Sequence, residues 1–97
     1  MYTANNILAE QEYKDLQVKH LVRSDTYEVL SISLEEGCLF PEHISPRDCS
    51  LLVLEGEIVL SVDTNEYKLH RHQVFDFKAN VPHHVKALVN SKFLIIR

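Results

Sequence analysis

The sequence predicts an all-β fold, a small antiparallel β-barrel or two-layered jelly roll, on three observations. From Gln17 onward the chain breaks into seven or eight short β-type segments at roughly 8–12-residue spacing, with turn residues between them. Valine, isoleucine, tyrosine and phenylalanine carry these segments, and such side chains pack well on a pleated surface. Almost no stretch shows a helical repeat. Short connections imply antiparallel hairpins, and closing the sheet on itself limits exposed edges.

Residues 1–16 are polar and mixed, and are expected to form an N-terminal arm or a short helix. Residues 17–97 are expected to form the barrel domain. Val18, His20 and Val22 alternate with Lys19, Leu21 and Arg23, and Ser24-Asp25-Thr26 marks a turn. Tyr27, Val29 and Ser31 then alternate with Glu28, Leu30 and Ile32, up to Glu35-Glu36-Gly37, where glycine can take a positive φ. Leu39 and Phe40 precede Pro41 and the loop-like stretch His43–Asp48. Leu51–Leu54 and Leu94–Ile96 are apolar on both faces, as suits central strands or strands covered by a second subunit. Ile58, Leu60 and Val62 alternate up to the hairpin turn Asp63–Glu66. Tyr67 and Leu69, then Val74, Phe75 and Phe77, flank a polar turn holding His70 and His72, and Asn80-Val81-Pro82 forms the next turn.

Ninety-seven residues make one domain. A core this thin gains stability from association with a second copy, so a homodimer is expected. The net charge of -4 and the lack of any basic run argue against nucleic acid as a partner. No apolar run approaches the ~20 residues of a membrane helix, and the first residues do not read as a secretory leader. Cys38 and Cys49 then read as free thiols of a cytoplasmic protein.

The stretch Gly37–Gly56 carries the chemical signal. It resembles the first motif of the cupin family, G-x5-H-x-H-x3-4-E-x6-G, with Gly37, His43 and Gly56 on the pattern. Ser45 stands at the second histidine and Cys49 at the glutamate. In the second cupin motif, G-x5-P-x-G-x2-H-x3-N, His83 holds the histidine position, while His72, Lys78, Asn80 and Ala87 replace the other anchors. The resemblance implies a double-stranded β-helix with a site inside the barrel. It also implies a divalent transition metal (Fe, Ni, Mn or Zn) on His43, His83 and Cys49.

Residues i and i+2 of a strand share a face, so an extended segment would turn both His43 and Ser45 inward. Two imidazoles and a thiol are a sparse set for a metal, since the family's charge-balancing carboxylate is gone. Without metal, His43, His83 and Ser45 would line a solvent-filled pocket, and Cys49 would be a small buried hydrophobe. Tyr27, Phe40, Phe75 and Phe77 would supply apolar walls, or serve as plain core. His84 should face away from His83, and His70 and His72 suit a solvated hairpin. The expected function is binding or sensing of a small-molecule ligand. The alternatives are a metal-dependent enzyme of dioxygenase or isomerase type, and a scaffold with a vestigial pocket.

Overall fold

The computed structural model describes all 97 residues. One four-residue helix, α1 (Ile7–Glu10), precedes nine strands: β1 (Leu16–Arg23), β2 (Glu28–Leu34), β3 (Leu39–His43), β4 (Cys49–Glu55), β5 (Glu57–Val62), β6 (Asn65–His70), β7 (Val74–Phe77), β8 (His83–Ala87) and β9 (Ser91–Ile96). No helix is long and apolar enough to cross a membrane.

The strands form two antiparallel sheets, one ordered β1-β2-β9-β4-β7 and the other β3-β8-β5-β6. The two runs that are apolar on both faces, in β4 and β9, take interior positions in the larger sheet. Strand alternation selects the inward faces. Leu30, Ile32 and Leu34 of β2, Leu51 and Val53 of β4, and Phe93 and Ile95 of β9 meet Ile58, Leu60, Leu69, Val85 and Ala87 of the smaller sheet. Together they bury a single core of fourteen hydrophobic residues, the jelly-roll arrangement of two packed layers.

The chain passes from the larger sheet to the smaller at Gly56, between β4 and β5. Its φ of 86° is left-handed. A Cβ there would meet Ser91 Oγ and come within 2.5 Å of the Asn90 carbonyl oxygen and 2.7 Å of Ser91 Cα. Ser91 is itself fixed, because its hydroxyl accepts from the Glu57 amide at 3.0 Å and lies 2.7 Å from the Val89 carbonyl. Only glycine combines that backbone angle with so close an approach.

β3 is an edge strand with one irregularity. Phe40 pairs with Val85 and His43 with His83, so three steps along β3 match two along β8. The extra residue is a β-bulge, and Pro41 falls within it, where the missing amide costs no ladder bond. Without the bulge, Phe40 and His43 would point to opposite faces; with it, both turn inward.

Gly56→Ala should lower stability by about 1–3 kcal/mol through enforced strain and displacement of Ser91. Denaturant unfolding of the two proteins measures this, and an unchanged midpoint would refute the crossover account.

Candidate functional site

The bulge of β3 and the inward row His83, Val85, Ala87 of β8 bring two imidazoles together. The ring centroids of His43 and His83 lie 4.0 Å apart at an interplanar angle of 67°. His83 is 3% exposed, and His43 is half-buried. Phe40 packs on His43 at 4.4 Å and Phe77 on His83 at 4.5 Å, so each ring has an aromatic neighbour.

Both rings are held the same way. His43 Nδ1 lies 2.7 Å from the Pro41 carbonyl oxygen, and His83 Nδ1 lies 2.8 Å from that of Val81. A carbonyl only accepts, so in each ring Nδ1 carries the proton and donates. The Nε2 atoms are then acceptors, and neither is bonded within the chain. No wholly buried side-chain nitrogen or oxygen lacks a partner, so His83 Nε2 must reach accessible space despite the burial of its ring.

Burial pushes the His83 pKa below the ordinary 6.5, against the bond to the Val81 carbonyl, which raises it. The nearby charges of His43, Arg97 and His84 lower it further. His83 therefore rests as a neutral imidazole at neutral pH.

The other expected site residues lie elsewhere. Ser45 is 1% exposed, beyond the end of β3. Its hydroxyl accepts from the Arg47 amide at 3.2 Å and its carbonyl from the Asn80 amide at 2.8 Å, so it pins the 44–48 loop to the turn before His83. Cys49 is buried and inward-facing, with Sγ 3.5 Å from the Arg47 carbonyl oxygen. Its partner across the β4–β7 pair is Phe77, the residue that packs on His83. The donor atoms of His43, His83 and Cys49 do not converge within 4.8 Å of one another.

Two wall assignments need correction. Tyr27 is 46% exposed and lines a surface hollow of about 250 Å³ with Ser24, Glu28, Pro46, Arg47 and Arg97. The inward face of β2 belongs to Leu30, Ile32 and Leu34, and Tyr27 has the opposite parity. Phe75 is half-buried against the core, beside Tyr67 at 4.7 Å and Phe77 at 6.4 Å, and makes no ring contact with either imidazole. Neither imidazole lines any of the five main hollows of the surface. His84 faces away, beside the Asp63–Glu66 hairpin, and His70 and His72 are exposed.

One grouping has no local signature in the sequence. The donor atoms of Asp15, Glu35 and Cys38 lie within 4.8 Å of one another, where the N-terminal arm meets the end of β2. Burial and the two carboxylates raise the Cys38 pKa, which keeps the thiol protonated and makes it a poor ligand. Backbone bonds join these residues, from the Glu35 amide to the Asp15 carbonyl and from the Cys38 amide to the Glu35 carbonyl, both at 2.9 Å. Pairing of distant segments, not local spacing, creates the cluster.

Comparison with known proteins agrees with this architecture. The family model described as the cupin domain matches residues 30–96. No curated protein matches the chain. Among solved structures, an RmlC-like cupin protein from Desulfovibrio desulfuricans superposes with a TM-score of 0.86 at 21% identity, covering 99% of this chain and 95% of that one. The TT1209 protein of Thermus thermophilus gives 0.83 at 19% identity, covering 96% and 93%. A cupin superfamily protein from Desulfitobacterium hafniense gives 0.82 at 24% identity, covering 90% and 80%. At these identities the likeness is one of fold.

His83 should titrate below the ordinary histidine value in an NMR pH series. A histidine pKa depressed in the folded state gives stability that is present above the unfolded value of 6.5 and is lost as pH falls through the folded value. Wild-type stability should therefore fall over that window, and His83→Gln should flatten the fall. Titration of His83 at or above 6.5 would contradict the burial account.

Proposed function

The chain belongs to the cupin family, and on that premise we propose that it binds a compact small molecule at the His43–His83 pair without a resident metal ion. One observation carries the reading: both imidazoles are held by Nδ1 and present an unbonded Nε2. Two fixed Nε2 acceptors between Phe40 and Phe77 suit a ligand with hydrogen-bond donors and a small apolar portion. Fixing the rings in advance reduces the ordering cost of binding.

A metal is the family's usual occupant, so the donor set bears on the reading. Two Nε2 atoms are available, but Cys49 does not converge with them and no carboxylate completes the group. Ser45 offers only a neutral hydroxyl, already engaged by the Arg47 amide. Such a set lacks the anionic third ligand of an open catalytic site and does not fit a tightly held ion. A metal-dependent dioxygenase or isomerase is disfavoured on that ground. A second reading, a scaffold with a vestigial pocket, draws on the absence of either imidazole from the main hollows. The free thiols Cys38 and Cys49 suit the reducing cytoplasm.

The expected partner is a second copy. On the outer face of the larger sheet, Val22, Val29 and Ile96 form one register row and Leu94, Leu52 and Val74 the next. Val74 is 61% exposed, and Val22 and Ile96 are each 38% exposed. An apolar stripe across five strands suits an isologous contact.

Titrating compact carboxylic acids, keto acids and polyols against the imidazole NMR signals tests the binding reading. One class should shift both rings together, and His83→Ala should abolish the shift. Stoichiometric Fe, Ni, Mn or Zn bound by both rings after reconstitution would replace this reading with the metal-dependent one, and a panel without effect would favour the scaffold. For the partner, light scattering at micromolar concentration should report twice the chain mass, and Val74→Lys should halve it. A wild-type monomer would rule out the pairing.

A further inference from the structure

The outer face of the five-stranded sheet is covered in an unexpected place. Its apolar part is open, whereas its polar part lies beneath residues 1–15. Ser31 and Ser33 are 0% exposed and Lys92 is 6% exposed, although all three point away from the core. The arm bonds to each of them, through Gln11, Glu12 and Leu8.

The contacts that hold the arm are polar. Gln11 is the main pin: its Nε2 donates to the Ser31 carbonyl at 3.0 Å and the Gln17 carbonyl at 3.1 Å, and its Oε1 accepts from the Ser31 hydroxyl. Ser33 Oγ donates to the Glu12 carbonyl at 2.8 Å, and Tyr13 donates its hydroxyl proton to Glu55. Lys92 Nζ donates to the Leu8 carbonyl at 2.8 Å and sits 5.2 Å from the Tyr13 ring centroid. No carboxylate is within ion-pair distance of that buried ammonium.

The arm contributes nothing to the core, whose fourteen residues begin at Leu30. Hollows undercut it on both flanks. One of about 490 Å³ lies on the β1 side, bordered by Ile7, Glu10, Lys19 and His20. The other, about 380 Å³, lies on the β4–β9 side, bordered by Asn6, Leu8, Leu54 and Lys92. The junction with β1 is Asp15, a non-glycine residue at φ 50°.

We propose that residues 1–15 are a releasable strap that lifts from the outer face of the larger sheet without unfolding the barrel, uncovering Ser31, Ser33 and Lys92 beside the apolar stripe. Besides the half-buried Ile7 and Leu8, lifting exposes mainly side chains that water solvates well, and it returns to solvent an ammonium held only by the Leu8 carbonyl and the Tyr13 ring. The core loses no apolar contact. Local opening of this kind draws on the least stable part of a fold. The strap thereby sets how much of the outer face is available to a partner.

Paired chemical labelling of the full chain tests this, with Lys92 reporting on the strap and Cys49, 3% exposed, on the core. In native buffer Lys92 should react with an amine reagent while Cys49 stays unreactive to a thiol reagent, each site identified by peptide mass. Gln11→Ala, by removing the pin, should speed Lys92 labelling about tenfold or more and leave Cys49 unchanged. Tyr13→Phe, which loses only the bond to Glu55, should give the same split to a smaller degree and serves if the first variant fails to fold. Labelling of Lys92 and Cys49 in step, in wild type or variants, would show that the arm opens only with global unfolding and would overturn the proposal.

Discussion

One extra residue in β3 determines what the interior of this barrel can do. Side chains alternate along a strand, so two residues three apart, such as Phe40 and His43, belong to opposite faces of a regular ladder. The bulge at Pro41 removes that parity conflict and sets His43 opposite His83. The contact between the two rings follows from this local register, whereas the bond from His83 Nδ1 to the Val81 carbonyl and the burial that depresses its basicity come from β8 and the turn before it. Proline is well placed there, because the same residue in a regular central strand would cost a ladder bond.

Much of the architecture was legible because strand burial has a period of two. The runs at Leu51–Leu54 and Phe93–Ile96 lack polar alternation, and they form interior strands of the larger sheet. Gly37 and Gly56 both adopt positive φ, but only Gly56 also lacks room for a side chain. The site was less legible. Tyr27 and Leu30 differ in parity, and sequence alone did not reveal which set faced inward. Cys49 faces inward, yet the geometry of the β4–β7 pair sets Phe77 opposite it, and Phe77 is the residue that meets His83. Such facts depend on strand partners far away in sequence.

The outer face shows the same limit. Ser31, Ser33 and Lys92 are polar residues on the face turned away from the core, yet all three are buried. Their burial depends on Gln11, Glu12 and Leu8, about 20 to 84 positions away along the chain. Composition signalled a polar first segment but not where it would lie. The fold thus separates two jobs. A dry core specified by alternation supplies stability, while polar contacts of low individual strength fix the arm and the two imidazoles.

The central claim is that the β3 bulge sets two imidazoles side by side, each held through Nδ1 with its Nε2 atom free. Long-range proton–nitrogen NMR of the imidazole rings at a pH above the histidine range, with cross-relaxation between ring protons, tests it most directly. The account predicts that His43 and His83 both carry the proton on Nδ1, show unprotonated Nε2 signals, and give a strong ring-to-ring cross peak. Protonation at Nε2 in either ring, or no cross peak between them, would contradict it.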